Sequence, residues 1–167
     1  MNAGANAAKG RILLFLHADT QLPPNALQKI QDVLDDEKYV AGAFDLDIDT
    51  KNLFIRFIAA RARIRSRITR VPYGDQAIFI RKKYFDTIGR FKNTPLMEDV
   101  DLMQRIRKRG DKIFILRDRV MTSARRWEKE GPFYTTLRNM VIMNLYRFGV
   151  SPEKLVWFYK NNSGKGH

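Results

Sequence analysis

Residues 11–24 read Arg-Ile-Leu-Leu-Phe-Leu-His-Ala-Asp-Thr-Gln-Leu-Pro-Pro. The unbroken apolar run from Ile12 to Leu16, closed by turn-forming residues, predicts a fully buried strand. That strand ends on a carboxylate, Asp19, with His17 two residues before it. Ligand sites of open α/β sheets lie outside the carboxyl ends of strands, so the position points to chemistry. A carboxylate there would equally serve as a cap for the helix expected from near Pro24, or end the strand in water.

The rest of the chain alternates between short apolar or alternating segments and amphipathic ones. The Ala-rich opening MNAGANAAK predicts a short helix or tail. Asn25 to Leu34 predicts a helix with Ala26, Leu27, Ile30, Val33 and Leu34 on one face. Tyr39 to Ile48 alternates with period two, placing Phe44, Leu46 and Ile48 on one side and Asp45, Asp47 and Asp49 on a solvated side. Leu53 to Arg70 predicts a helix whose Leu53, Phe57, Ala60, Ile64 and Ile68 share a face. Arg56, Arg63, Arg67 and Arg70 flank that face on one side, with Arg61 and Arg65 on the other. A turn at PYGDQ, a strand at AIFIR and a helix at KKYFDTIG follow, the last closed by Gly89. Glu98 to Arg109 predicts a helix stopped by Gly110, KIFIL another strand, and Phe133–Phe148 and Pro152–Tyr159 two final helices. Strands alternating with helices make an α/β protein with a mixed sheet.

A chain of 167 residues is one domain by size. Its 44% hydrophobic and 29% charged content excludes a disordered chain. The absence of cysteine excludes disulfides, thiolate zinc sites and a cysteine nucleophile. Any metal must then be held by oxygen, with at most a histidine beside it, which favours Mg²⁺ or Mn²⁺. The formal charge of +13 suits nucleic acid, an anionic membrane surface or a phosphate-bearing substrate. MNAGANAAKG has no apolar core of a signal peptide, and no window reaches the ~20 apolar residues of a spanning helix. A cytoplasmic protein, peripheral at the cytoplasmic face of the membrane, is the expectation.

Four polar clusters punctuate this scaffold in order: HADT, GDQ, MEDVDL and ARRW. Together they resemble the family 2 glycosyltransferases of the GT-A fold, most closely a bacterial subgroup associated with radical-SAM and selenium-related genes. The resemblance implies that His17-Ala18-Asp19 stands where the family has its DxD motif. Glu98-Asp99 stands for the acidic pair that opens a later helix, and Arg126-Trp127 for an arginine–tryptophan motif. The stretch Gly74 to Phe91 looks like the acceptor-side segment. Histidine replaces the first aspartate of DxD, and Ser123 replaces the usual leading glutamine of the arginine–tryptophan motif. The family also implies a strand–helix–strand region ahead of the DxD strand, holding the base and ribose. At ~30 residues per βαβ unit, roughly two units are expected upstream of Met1. The expected fold is therefore an N-terminally truncated GT-A, Rossmann-like mixed sheet over residues 1–130. A C-terminal helical extension over 131–160 and a disordered tail over 161–167 complete it.

The implied activity is transfer of a sugar from a nucleoside diphosphate sugar to a hydroxyl acceptor, with inversion. The resemblance assigns Asp99, with Glu98, to the catalytic base position. Asp19 is the metal ligand, and Arg126 and Trp127 hold the diphosphate or a sugar ring. Asp75, Gln76 and His17 are candidate substrate contacts. Arginines flanking an apolar helical face are the composition of an interfacial helix, which fits a lipid-linked acceptor. Two rivals remain open from the sequence: a catalytically inactive scaffold, and a basic nucleic-acid-binding domain. The second is opposed by its acidic clusters and by the lack of a recognisable RNA- or DNA-binding signature.

Overall fold

The computed structural model describes residues 1–162. Its elements, in chain order, are α1 (Asn2–Ala7), β1 (Ile12–Phe15), β2 (Thr20–Gln21), α2 (Ala26–Asp35), β3 (Tyr39–Asp49) and α3 (Leu53–Thr69). A 3₁₀ turn (Gly74–Gln76), β4 (Ile78–Arg81), α4 (Lys82–Thr87), α5 (Glu98–Lys108) and β5 (Lys112–Ser123) follow. The chain then continues in α6 (Arg125–Glu130), α7 (Pro132–Arg147) and α8 (Pro152–Asn162). Five strands form one sheet in the order β1-β4-β3-β5-β2. Only β3 and β5 run parallel; the other neighbours are antiparallel. This is a mixed α/β sheet of the GT-A, Rossmann-like kind.

Alternation along β3 divides the core between the two faces of the sheet. Ala41 and Ala43 join Leu13, Phe85, Leu102, Met103 and Ile106 on the face covered by α4 and α5. Phe44, Leu46 and Ile48 join Ile30, Leu34, Ile55 and Ala59 on the face covered by α2 and α3. Between them Gly42 lets the Phe79 ring approach: a Cβ at residue 42 would lie 2.3 Å from that ring and 2.7 Å from the Phe114 carbonyl oxygen. Phe15, Phe85 and Phe91 pack as a mutually tilted trio, with centroids 4.7–5.4 Å apart. That trio fixes the end of β1 against α4.

Several expectations are corrected. Asp45 does not reach a solvated face: it is 1% exposed and paired with Arg67, while Asp47 meets Arg63 and Arg119. The arginines of α3 fold back over this side of β3 and neutralise it. Arg63 also donates to the Leu46 carbonyl and Arg65 to the Val71 carbonyl. The face of α3 that meets the core is Ile55, Ala59 and Ser66. The stripe of Leu53, Phe57, Ile64 and Ile68 lies outside, each between 58% and 77% exposed. Leu27 likewise points away from the core, which takes Ala26, Ile30 and Leu34 from α2. KIFIL is the start of a 12-residue strand, whose register against β3 shifts between Phe44 and Asp45. The tail expected from residue 161 begins as the last turn of α8, and residues 163–167 lie outside the described residues.

Candidate active site

The C-terminal end of β1 runs directly into His17-Ala18-Asp19. The turn is anchored on its far side, because Thr20 and Gln21 pair with Thr122 and Met121 of β5. Thr20 Oγ1 donates to Thr122 Oγ1 at 3.2 Å, and the Ser123 amide donates to the Asp19 carbonyl at 3.2 Å. Asp19 is thereby brought beside α6, which carries Arg126 and Trp127. In turn α7 is latched to the end of α6: Arg138, 4% exposed, pairs with Glu130 at 2.7 Å.

The 3₁₀ turn supplies the opposite wall. The Gly74 amide donates to Asp99 Oδ2 at 2.5 Å. A Cβ at residue 74 would sit 2.9 Å from His17 Nε2 and 3.1 Å from Asp99 Oδ2. Glycine at 74 thus lets the imidazole and the carboxylate approach one backbone atom from two sides. Two non-glycine residues in the left-handed region bracket this wall, Ala77 (φ 48°) and Met97 (φ 64°). Strain of that kind costs ~1–3 kcal/mol per residue and persists where surrounding packing over-determines the backbone. Met97 turns the chain so that Glu98 and Asp99 open α5.

These elements enclose a cleft of about 500 Å³. His17, Asp19, Asp75, Glu98, Asp99, Arg126 and Trp127 all line it. Seven of the eight residues singled out in the sequence therefore converge, although they come from four separate stretches of chain. Gln76 does not reach the cleft. It is fully buried: Nε2 donates to the Phe44 carbonyl and Ser66 Oγ, and Oε1 accepts from the Tyr73 amide and Arg65. With both ends of its amide bonded, Gln76 ties the 3₁₀ turn to β3 and α3.

Two polar atoms at the site, Asp75 Oδ1 and Trp127 Nε1, are buried with no partner among the described residues. Burial pushes the Asp75 carboxyl up to about 6, and the nearby Asp99 charge adds to the rise; Arg65 and His17 pull it back. Tyr73 is raised by burial as well, and its ring carries the Arg65 guanidinium 3.3 Å from its centroid. The lining residues that the sequence did not single out, chiefly Tyr73, Asn139 and Met143, carry no motif. Asn139 and Met143 arrive on α7, about 40 residues after Asp99, so no spacing rule could connect them.

A family model, glycosyl transferase family 2, matches residues 1–111. That is about two thirds of the chain and includes the HADT, GDQ and Glu98-Asp99 segments. The chain belongs to glycosyl transferase family 2. No curated protein matches it. Arg126 and Trp127 lie beyond the matched residues, and their membership of the site comes from the geometry alone. Family membership makes the chain a glycosyltransferase at the family level and disfavours the nucleic-acid reading. Among the described residues no helix is long and apolar enough to cross a membrane.

An oxygen-bound divalent cation fits the donor set in one arrangement. No group of three metal-ligating side chains occurs among the described residues. Mg²⁺, however, is commonly held by one or two carboxylates, with substrate phosphates and water completing its shell. The exposed Asp19 carboxylate, on a turn braced by β2 and β5, meets that requirement. His17 is the second available ligand.

Proposed function

We propose that this glycosyltransferase moves a sugar from a nucleoside diphosphate sugar to an acceptor hydroxyl in a single displacement with inversion. The observation that carries the reading is the gathering of Asp19, Asp99, Arg126 and Trp127 around one cleft. Asp99 is the base. Its Oδ2 is held by the Gly74 amide, which leaves Oδ1 to take the proton as the acceptor oxygen bonds to the anomeric carbon. The bond between that carbon and the diphosphate oxygen breaks, and its electron pair leaves with the diphosphate. Arg126 and the unpartnered Trp127 indole N–H bind that departing group, and Asp19 would hold Mg²⁺ or Mn²⁺ against it. When bound, the cation supplies Lewis-acid stabilisation of the leaving charge. Asp75 lines the acceptor side, His17 stands near Asp19 as a further contact for the cation or diphosphate, and Gln76 positions the turn that carries Asp75.

The exposed stripe of α3 supports a peripheral contact with an anionic membrane surface, which suits a lipid-linked acceptor. Arg56 and Arg61 stand exposed on this helix, and Arg70 is exposed at its C-cap. Arg63, Arg65 and Arg67 are committed to internal partners, so three arginines rather than six face such a surface.

The test is Asp99→Asn. Losing a positioned base costs ~10²–10⁴ in rate, so transfer should fall by that factor while nucleotide binding persists. Near-normal turnover in the variant removes Asp99 from this role.

A further inference from the structure

A second cavity, about 680 Å³, lies between α3, α5 and α7. Four of its lining residues are cations, Arg65, Arg107, Lys108 and Arg147, and none is acidic. Among the described residues these four have no carboxylate partner. Part of their charge answers the three helix C-termini that end nearby. Each terminus carries about half a negative charge, and the Asp75 and Asp99 charges also act on Arg65, so the four cations leave a smaller but still positive excess. Thr69 and Gln104 add a hydroxyl and an amide to the lining.

Arg65 is held ready. It donates to the Val71 carbonyl at 2.8 Å and to Gln76 Oε1 at 3.4 Å, and it stacks on the Tyr73 ring. Burial, together with the repulsion of Arg147, holds its guanidinium below the ordinary arginine range. Two arginines that repel each other across a concave space are relieved by an anion between them.

We propose that this cavity is a phosphate-binding subsite for the acceptor, so that the glycosyltransferase acts on a phosphate-bearing hydroxyl compound. Tyr73, Val100 and Met143 line both this cavity and the catalytic cleft. A phosphate seated among the four cations therefore occupies a space that adjoins the cleft holding Asp99. Asp19, Arg126 and Trp127 line only the catalytic cleft, which separates this anion from the donor's diphosphate. The phosphate can come from a lipid or from a soluble metabolite. A neighbouring hollow shares Thr69 and Arg107 with the cavity, and its lining mixes Ile68 and Ile113 with Arg70, Asp111 and Lys112, so it extends the polar surface beside the phosphate.

The inference rests on the reading of the cleft as the transfer site, and the experiment keeps the two separate. Calorimetric titrations of the full chain are made with farnesyl phosphate, farnesol, glucose 1-phosphate and uridine diphosphate. They are repeated on Arg107→Gln/Arg147→Gln and, independently, on Asp19→Ala. The expected result is phosphate-dependent binding that the double arginine variant weakens at least tenfold, as expected for losing charge-assisted contacts, with uridine diphosphate affinity unchanged. Farnesyl phosphate binding more tightly than glucose 1-phosphate identifies a lipid source; equal binding identifies a soluble one. Either pattern supports the subsite. Equal affinity of wild type and double variant for both phosphates, or no phosphate binding by the wild type, overturns it. Phosphate binding that persists while the metal-dependent uridine diphosphate signal is absent from wild type and Asp19→Ala alike overturns the donor-site reading and leaves the subsite standing.

Discussion

Replacing Asp75 by Asn should stabilise the metal-free protein, and the gain should depend on pH. In the fold, Asp75 Oδ1 is buried without a donor, and its carboxyl is pushed from 3.8 to about 6, first by burial and then by Asp99. The folded state thus holds this proton more tightly than the unfolded chain. Its contribution to stability is complete below pH ~4 and is lost as pH climbs through about 6. At ~1.4 kcal/mol per pKa unit, the ionised carboxylate costs the fold about 3 kcal/mol at pH 8. Asn cannot ionise, so the variant escapes that cost, though its new N–H₂ group gives back roughly 1–3 kcal/mol if it finds no acceptor. That second effect is independent of pH. The diagnostic quantity is therefore the change in unfolding free energy on substitution at pH 8 minus the change at pH 4, expected at roughly +2.5 kcal/mol because the unfolded carboxyl is already half ionised at pH 4. Urea unfolding with a chelator present, at both pH values, measures it. A difference below about 1 kcal/mol would mean that Asp75 is solvated in the folded protein, and the electrostatic account of the cleft would fail. Loss of transfer in a more stable variant is the accompanying expectation, since functional sites commonly retain destabilising groups.

Asp19→Ala should weaken Mg²⁺- or Mn²⁺-dependent nucleotide binding, and an unchanged metal dependence in a binding titration removes Asp19 as the ligand. Sedimentation with vesicles should detect association with anionic but not neutral lipid. Three exposed arginines at ~1 kcal/mol each imply a preference of about 100-fold that salt abolishes, and equal pelleting with both lipids refutes the contact. Because β1, among the described residues, pairs with β4 alone and stands at the sheet edge, light scattering should show concentration-dependent self-association that Leu16→Lys, a charge placed beside that edge, suppresses. A wild-type chain that stays monomeric at every concentration would count against that edge as a pairing surface. Gln76→Ala should reduce stability by about 1–3 kcal/mol by leaving the buried partners of its amide unpaired; if chemical denaturation finds no change, Gln76 does not brace the turn.

Local pattern determined much of this protein. Unbroken apolarity in Ile12–Leu16 and period-two alternation in β3 follow from side-chain burial, which each segment's own composition reports. The order of HADT, GDQ, Glu98-Asp99 and Arg126-Trp127, through the resemblance it carries, named seven residues that line the cleft, while Tyr73, Asn139 and Met143 came only with the packing. What the pattern left open was which face of a helix the core would take. The apolar stripe of α3 and its buried face both satisfy helical periodicity. Only the packed sheet, with Asp45 and Asp47 waiting for Arg67 and Arg63, selected Ile55, Ala59 and Ser66 to go inside and left Leu53, Phe57, Ile64 and Ile68 in solvent. The same holds for Gln76, whose neighbours in sequence line the cleft while its own amide is consumed by Phe44, Ser66, Tyr73 and Arg65. The basic cavity had no sequence signature at all. Its cations come from α3, α5 and α7, and charges so far apart along the chain become one electrostatic site only when tertiary packing brings three helix ends together.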